Sequence, residues 1–408
     1  MPVRVVGMLS LCHVAFTLDA ADYSNPSATA DGGAVLFRAW DACLSSSEAN
    51  AAAVLFNYAN ALTRWERPGA ADSYERVITL EPSHSAAHFN LASVQYHSGD
   101  LERARDSFAA ALALRPNDAD AATMLGAVES DLGNDRRALD AYNVALRNNP
   151  NDSTAKRLKS ALEGSRTDES FSYAQELFDE YHPRYDSEMI ALQAASATLV
   201  FDELHAALEA RSSWLNPPFQ FRNVVDLGAG TGAAMLPFVN APLCAFEGRS
   251  VVGVDASSNM LGGARERRCA NGIPLYTGLV VDDMARALIA MAEASVDLVI
   301  SSDSFVYSEN LTPIFVGASR VLRAGGYLAF TVEEASAEED AIIKKGGGVE
   351  EDGGCILQRS GRYKHTARYI KDELRKQSGF EMIRKRQAIG RVERGVPVQV
   401  LVVIVQKI

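Results

Sequence analysis

The chain has 408 residues, of which 47% are apolar and 23% are charged. This length exceeds what one hydrophobic core usually serves, and the composition is that of a globular protein rather than a disordered or disulfide-stapled one. The formal net charge of −12 disfavours a dedicated nucleic-acid binder, because such proteins neutralise phosphates with lysine and arginine. We therefore expect roughly two to three folded domains and no nucleic-acid partner.

The spacing of the cysteines and the length of the apolar runs bear on metal binding and on membrane insertion. The five cysteines are widely scattered, and none has a C-x-x-C partner. His13 next to Cys12 is a single neighbour without the further ligands of a metal site, so we expect reduced thiols and no metal. No apolar run approaches the ~18 residues that cross a bilayer, so we expect no membrane partner.

The N-terminal segment, residues 1–50, allows two interpretations. Arg4 followed by the apolar stretch 5–18 has the parts of a secretory signal, but His13 interrupts the stretch and the small-residue site at 28–30 lies far beyond it. The same residues also suit the first helix of a degenerate repeat. We expect a cytoplasmic protein, with secretory or organellar entry through this segment as the alternative.

A repeat of 34 residues occupies the next part of the chain. Residues 85–118 align without gaps on residues 119–152, and residues 52–84 repeat the pattern more weakly. Each unit carries small residues, an aromatic residue and a proline, which is typical of two helices packed closely into a hairpin. The period is that of tetratricopeptide repeats, so we predict an all-α solenoid over residues 51–165 that ends in a capping helix near residues 155–162.

Stacked hairpins leave a concave face that is lined by the first helix of each hairpin. The pattern directs five side chains into it: Phe89, Ser93, Tyr96, Thr123 and Ser130. Such a groove either binds a protein partner or only braces the domain that follows, and we favour partner binding.

From about residue 170 onwards, short β-branched runs alternate with helical patterns. The runs are residues 224–227, 251–254, 296–300 and 327–332. Strands that alternate with helices predict a mostly parallel α/β sheet over residues 170–408, with ligands at the carboxyl ends of the strands. Residues 387–408 have the pattern of two strands joined at residues 393–395, a hairpin that adds antiparallel pairing. The glycine-rich stretch 344–354 predicts an expanded flexible loop.

The first of these strands leads into a glycine-rich turn, Gly228-Ala229-Gly230-Thr231-Gly232. Only glycine lets the backbone approach a ligand this closely. The turn alone is ambiguous, because Gly228, Gly230 and Ala233 also satisfy the looser dinucleotide-binding pattern G-x-G-x-x-[GA].

Two aspartates at strand ends favour one cofactor over the other. Asp226, two residues before the turn, can face the amino group and sulfonium of S-adenosylmethionine, whereas a pyrophosphate would repel it. Asp255 ends the second strand, 23 positions after Gly232, where its two oxygens can accept hydrogen bonds from both ribose hydroxyls.

Four stretches in this order resemble the class I S-adenosylmethionine-dependent methyltransferases. They are residues 226–232, 254–261, 296–299 and 322–326. With the repeats in front, the chain is similar to a bacterial-type branch of that family, over about residues 50–406. The resemblance implies the sheet order 3-2-1-4-5-7-6 with an antiparallel last strand, S-adenosylmethionine as the cofactor, and a lid around Tyr181.

The same resemblance implies which residues contact the cofactor. Asp255 holds the ribose, Met260 lies against adenine, and Asp282 or Asp283, with Asp283 preferred, accepts from the adenine amino group. The expected cofactor residues are Asp226, Gly228, Ala229, Gly230, Gly232, Asp255, Ala256, Ser257, Met260, Asp282, Asp283, Met284 and Ser302.

Methyl transfer requires few catalytic side chains. A sulfonium already activates its methyl carbon, so the main task of the protein is to align the acceptor and exclude water. A hydroxyl or amine acceptor can require a base, and the candidates are Asp303, Tyr307 and His365. Each has a structural alternative: Asp303 as a cap or a holder of water, Tyr307 as a core residue, and His365 as a surface or helix-start residue.

The predicted function is therefore a methyltransferase that acts on a small-molecule or protein acceptor, with repeats that bind a partner. The alternative is a non-catalytic repeat adaptor that retains the methyltransferase domain as a cofactor-binding scaffold. A nicotinamide-dependent oxidoreductase is disfavoured by Asp226 and by the lack of a separate substrate domain after the fold.

Overall fold

The computed structural model describes most of the chain beyond the N-terminal segment. The described residues are 52–64, 67–165, 170–211, 221–238, 248–344, 354–377, 379–393 and 395–408. The predictions for residues 1–50 and for the loop at 345–353 lie outside them. The chain divides into two compact units, Met1–Asp152 and Ser153–Ile408. None of the described helices is long and apolar enough to cross a membrane.

Helical hairpins build the first unit. Its described helices are α1 (Ala52–Arg64), α2 (Ala70–Leu80), α3 (Ser85–His97), α4 (Leu101–Leu114), α5 (Ala119–Asp131) and α6 (Asp135–Asn148). They pair in chain order, and Gly126 on α5 shows why the pattern needs a small residue: a Cβ there would collide with the ring of Tyr142 on α6. The predicted all-α repeats are confirmed.

The predicted concave face is only partly correct. The ring of Phe89 packs edge-on against Phe108, with their centroids 5.3 Å apart, inside the hairpin formed by α3 and α4. Thr123 and Ser130 are buried, at 5% and 6% exposure. These two side chains therefore do not line an open groove, whereas Phe89, Ser93 and Tyr96 are partly exposed.

Helix α7 (Ser153–Glu163) belongs to the second unit, although the predicted domain boundary lies after it. Its Arg157 is completely buried, and the guanidinium lies over the ring of Tyr173 at 4.3 Å and over that of Tyr363 at 4.8 Å. Arg157 Nε also donates to the carbonyl of Gly361 at 2.6 Å. A buried cation needs such partners, and these partners lie in the second unit.

The second unit alternates helices with strands. After α7 its helices are α8 (Ser170–Tyr181), α9 (Tyr185–Ala191), α10 (Ser196–Arg211), α11 (Ser258–Glu266), α12 (Met284–Ala290), α13 (Thr312–Val321), α14 (Ala337–Lys344) and α15 (Ala367–Lys376). Its strands are β1 (Asn223–Leu227), β2 (Ser250–Asp255), β3 (Gly278–Val281), β4 (Val296–Ser301), β5 (Leu322–Glu334), β6 (Cys355–Leu357), β7 (Tyr363–His365), β8 (Phe380–Glu393) and β9 (Val396–Lys407).

The strands form one sheet in which β3, β2, β1, β4 and β5 are parallel neighbours in that order. Strand β9 runs antiparallel beside β5, and β8 pairs antiparallel with β9. The predicted order 3-2-1-4-5-7-6 is therefore confirmed, with β9 in the place of strand 7 and β8 in the place of strand 6. The antiparallel last strand is confirmed as well. Two short strands, β6 and β7, are additions to the prediction, and β7 pairs with the carboxyl end of β5.

Alternate residues of the central strands face opposite sides of the sheet and build two cores. On β4, Leu298 and Ile300 join one core, together with residues of α10 and α11, whereas Val299 joins the other, together with residues of α12, α13 and α15. Helices on both faces leave the carboxyl ends of the parallel strands as the open edge at which a ligand can bind.

The prediction of reduced cysteines needs one correction. Cys269 is disulfide-bonded, whereas the buried Cys355 is a free thiol. Spacing along the sequence does not report which cysteines a fold brings together, so the absence of a C-x-x-C pair did not exclude this bond.

Candidate active site

The carboxyl ends of β1 to β4 meet at one edge of the sheet, where α8 and α9 lie over them. Together they form the walls of a cavity. Its described lining consists of Phe171, Ala174, Phe178, Tyr185, Gly228, Gly230, Asp255, Ala256, Met260, Asp282, Asp283, Met284, Asp303, Ser304, Tyr307 and Ser308. Because β3, β2, β1 and β4 are neighbours in this order, the groups after each strand lie in a row along the cavity.

The glycine turn after β1 forms the middle of this row. Gly228 and Gly230 line the cavity, and both have the positive φ angles, +70° and +54°, that side chains disfavour. A Cβ on Gly228 would collide with the side chain of Ser304 after β4, so the close approach of the two turns requires glycine. Ala229 and Gly232, which were also predicted to contact the cofactor, belong to the same turn but do not line the cavity.

Asp255 ends β2 and faces the cavity. One carboxylate oxygen accepts from the backbone N–H of Gly230 and the other from that of Ser257, each at 2.8 Å. Burial raises the pKa of Asp255, while these N–H donors act in the opposite direction. Each oxygen keeps a second lone pair, so the carboxylate can still accept from a pair of hydroxyls.

Of the predicted contact residues after Asp255, some line the cavity and one supports the helix beside it. Ala256 and Met260 line the cavity, but the predicted contact residue Ser257 does not. Ser257 caps α11 instead: its hydroxyl oxygen accepts from the N–H of Met260 at 3.0 Å and donates to Asp179 of α8 at 2.6 Å. It therefore connects α8 to the strand edge.

Asp282, Asp283 and Met284 all line the cavity after β3. Asp283 caps α12, because one of its oxygens accepts from the N–H groups of Ala285 and Arg286 at 3.0 Å. Asp282 accepts from the Arg286 guanidinium at 2.9 Å. Both carboxylates therefore reach this end of the cavity in fixed orientations.

Asp226 lies beneath the cavity rather than in its lining, which differs from the prediction. Its side chain is completely buried, and one oxygen accepts from the hydroxyl of Tyr276 at 2.6 Å. Burial raises the pKa of Asp226 to about 7. The other oxygen has no hydrogen-bond partner in the structure. Ser302, the remaining predicted contact, does not line the cavity either.

The lid predicted around Tyr181 corresponds to α8 and α9. Four lining residues come from it, none of which was singled out in the sequence as a site residue: Phe171, Ala174, Phe178 and Tyr185. Asp186 of α9 fastens the lid, because it accepts from the hydroxyl of Thr231 at 2.5 Å and from Arg267 at 2.6 Å. Aromatic residues in an amphipathic helix give no sequence signal that separates a site lining from ordinary packing.

Two of the three candidate bases line the cavity. Asp303 follows β4 with a φ of +57°, and its N–H donates to the Thr331 hydroxyl oxygen at 2.9 Å. Positive φ is strained for aspartate, and such strain is often found at functional sites. Tyr307 lies next to Asp303, and burial raises the pKa of its phenol. Tyr307 is therefore a hydrogen-bond donor at neutral pH rather than a base.

His365 is not in the cavity, which corrects the prediction that it could act as a base. It lies on β7, fully buried, and its ring stacks on that of Tyr369 with centroids 5.7 Å apart. Burial lowers the pKa of His365 to about 4. The sequence predicted a polar break before a helix at this position, but the short strand β7 turns the side chain into the core.

Behind Asp303 lies a cluster of buried ion pairs that the sequence did not indicate. Arg391 of β8, 2% exposed, donates to Asp303 at 2.9 Å and pairs with Glu393 at 2.6 Å and with Glu333. Arg362 pairs with Glu333 at 3.0 Å and with Glu393. The cluster fixes the carboxylate of Asp303, because two guanidinium groups and three carboxylates hold one another.

The cavity suits S-adenosylmethionine on two structural grounds. Gly228 and Gly230 border the cavity without side chains, and one oxygen of the buried Asp226, two residues before Gly228, has no hydrogen-bond partner among the described residues. Asp255 offers acceptors for two ribose hydroxyls in the next position along the edge. Glycines and carboxylates in this arrangement fit a neutral adenosine and a cationic sulfonium better than a pyrophosphate.

Comparison with known families agrees with this geometry. Residues 225–330 match the methyltransferase domain family, and residues 61–119 and 96–162 match tetratricopeptide repeat families. The chain carries a methyltransferase domain behind tetratricopeptide repeats. The cofactor that goes with this domain is S-adenosylmethionine, as predicted. The match to the methyltransferase domain runs from β1 into β5 and excludes the lid.

Curated relatives cover the same part of the methyltransferase domain. The chain is 38% identical over 139 residues to the malonyl-[acyl-carrier protein] O-methyltransferase of Methylococcus capsulatus, which is 34% of this chain and 46% of that protein. It is 31% identical over 137 residues to the dimethylglycine N-methyltransferase of Parasynechococcus marenigrum, 34% of this chain and 45% of that protein. The chain thus spans about half the length of the curated relatives that it matches.

Among solved structures, the chain is similar to the 1,6-didemethyltoxoflavin-N1-methyltransferase of Burkholderia thailandensis, which was solved with 1,6-didemethyltoxoflavin and S-adenosylhomocysteine bound. The match has 16% identity and a TM-score of 0.39, and covers 60% of this chain and 92% of that one.

Proposed function

We propose that the chain is an S-adenosylmethionine-dependent methyltransferase. The observation that carries this proposal is the cavity at the carboxyl ends of β1 to β4, in which the glycine turn, Asp255 and Asp283 follow neighbouring strands. In open α/β sheets, ligands bind in such a crevice where the strand order reverses, here between β1 and β4.

The row of groups along the strand edge gives each part of the cofactor a partner. We assign adenine to the end with Asp283 and Met284, the ribose to Asp255, and the methionine part to Gly228 and Gly230. Met260 also lines the cavity, and we assign it to the face of adenine, as the resemblance implies. The transferring end then lies at β4, beside Asp303.

The residues at that end suit the chemistry. When bound, S-adenosylmethionine supplies a methyl group on a positively charged sulfur, which keeps the electron pair of the broken carbon–sulfur bond. Phe178 and Tyr185 of the lid exclude water, and Asp303 takes a hydrogen bond, and where necessary a proton, from the acceptor. Tyr307 can donate a hydrogen bond from its protonated phenol.

The acceptor is not given by the relatives, since one is named for an O-methyl and another for an N-methyl transfer. The acceptor of this chain is a small molecule or a protein. We further propose that the repeats bind a protein partner, which the two repeat-family matches support.

Replacement of Asp255 tests the cofactor assignment. Asp255→Ala removes two charge-assisted hydrogen bonds to the ribose, so S-adenosylhomocysteine should bind roughly 10- to 100-fold more weakly in isothermal titration calorimetry. The matched control is Asp372→Ala on the exposed face of α15, which should bind as the wild type does. An unchanged affinity in Asp255→Ala, with both variants folded by circular dichroism, would refute the ribose role.

A further inference from the structure

The β4 end of the cavity is walled by aromatic rings. Phe178 and Tyr307 meet edge to face, with centroids 5.1 Å apart at 84°, and Phe178 and Tyr185 do so at 6.0 Å and 74°. All three line the cavity beside Asp303. Rings from two lid helices and from the turn after β4 thus line the same cavity as the Asp303 carboxylate.

The charged side chains that line the cavity, among the described residues, all have the same sign. Its described lining contains four aspartates and no lysine, arginine or histidine. Three of these aspartates follow β2 and β3, where the proposed function assigns ribose and adenine. The nearby Arg286 belongs to that end as well, since it pairs with Asp282. Only Asp303 lies at the end where the acceptor must enter.

The cations behind Asp303 do not reverse this sign. Arg391 and Arg362 are shared among three carboxylates, those of Asp303, Glu333 and Glu393, so the cluster keeps a formal charge of about −1. Neither guanidinium lines the cavity. Arg157 also lies near this end, where it donates to the backbone carbonyl of Tyr307 at 3.1 Å, but its guanidinium is fully buried against the rings of Tyr173 and Tyr363. In the described lining, an anionic acceptor would therefore meet the carboxylate of Asp303 and no cationic side chain.

We propose that the β4 end of the cavity binds an amine as the methyl acceptor, between the rings of Phe178, Tyr185 and Tyr307 and the carboxylate of Asp303. The proposal rests on the proposed function and narrows it from any acceptor to a nitrogen acceptor. Aromatic rings attract the protonated amine, and the carboxylate of Asp303 accepts its N–H. Asp303 then takes the proton, so that the nitrogen regains the lone pair that accepts the methyl group. Burial raises the pKa of the Tyr307 phenol, so this ring stays neutral and adds no competing anion.

The geometry of Asp303 fits this task. Its backbone is fixed by the hydrogen bond to Thr331, and its carboxylate by the 2.9 Å contact with Arg391. A carboxylate held in this way binds the amine without reorganising, and it is only 20% exposed, so water screens it weakly. Asp303 is then a specificity-determining residue.

The test uses a cation and its neutral isostere. N,N-dimethylaminoethanol and 3-methylbutan-1-ol have the same shape, but only the amine is protonated at neutral pH and carries an N–H. Titrated into the full chain saturated with S-adenosylhomocysteine, the amine should bind at least about tenfold more tightly than the alcohol, and malonate should not bind. Asp303→Asn and Tyr185→Leu should each weaken binding of the amine by roughly tenfold, while Asp372→Asn leaves it unchanged.

Each other outcome overturns the proposal. Equal binding of the alcohol, tighter binding of malonate, or no effect of Asp303→Asn would contradict an amine site, and so would the absence of amine binding to a chain that holds S-adenosylhomocysteine. S-adenosylhomocysteine binding is measured separately in every variant. If S-adenosylhomocysteine binds while N,N-dimethylaminoethanol does not, the acceptor class is wrong and the proposed function stands; if the wild type does not bind S-adenosylhomocysteine, the proposed function fails first.

Discussion

At the scale of single residues, burial separates the chemical groups that face a ligand from those that support the fold. Asp226 and His365 were both predicted at the site, and the structure buries both outside the cavity lining. The sequence could predict Asp255, because a carboxylate after a glycine turn and a second strand has a specific position. The sequence could not predict that the His365 side chain is buried, since a strand of three residues has almost no periodicity to detect.

The buried His365 has a consequence for stability. Its pKa of about 4 in the fold is below the ~6.5 of an unfolded chain, so the unfolded chain takes up the proton first as the pH falls. Above about pH 6.5 the ring is neutral in both states, so His365 does not lower the free energy of unfolding. That free energy decreases as the pH drops from about 6.5 towards 4. At about pH 5 this residue alone should cost about 2 kcal/mol relative to pH 7.

The variant His365→Phe removes this titration and keeps a ring that can stack on Tyr369. We expect it to lose less stability than the wild type between pH 7 and pH 5, by about 2 kcal/mol, in urea unfolding followed by circular dichroism. The exposed His97→Gln should keep the pH dependence of the wild type. Parallel loss of stability in His365→Phe and wild type would mean that His365 is not buried as a neutral ring.

At the scale of elements, the strands and the helices after the glycine turn follow from the sequence, whereas the contacts between distant elements do not. The strands predicted at residues 224–227 and 296–300 are β1 and β4, whose bounds differ from the prediction by one residue each. The pattern of the hairpin β8–β9 also predicted strands, but not that Arg391 would point inward and meet Asp303, which is 88 positions away. Such a contact depends on sheet order and register, and a single charged residue in a strand does not reveal it.

The Arg391 contacts should hold the hairpin to the strand edge. Arg391→Gln leaves Glu333 buried without one of its two cations, so we expect a loss of about 3–5 kcal/mol in the free energy of unfolding in urea. The control Arg368→Gln removes an ion pair of 3.6 Å whose arginine is 52% exposed, and should lose less than about 1 kcal/mol. Equal effects of the two variants would show that the buried cluster adds no stability.

At the scale of the whole molecule, the sequence predicted two folded parts of different class, and the structure has them. The repeat period and the strand–helix alternation extend over many residues, so they can be recognised even where a single element is ambiguous. The exact end of the first unit was less predictable. Helix α7 has the pattern of a repeat cap, but its Arg157 contacts Gly361 and Tyr363, which lie far along the chain in the second unit.

The central claim is that the cavity at the carboxyl ends of β1 to β4 holds S-adenosylmethionine. Calorimetric titration of the wild-type chain with S-adenosylmethionine, S-adenosylhomocysteine and NAD tests it most directly. We predict that both adenosyl compounds bind with a stoichiometry of about one per chain and that NAD gives no heat of binding, because the aspartates of the lining repel a pyrophosphate. Binding of NAD alone, or of none of the three, would contradict the account.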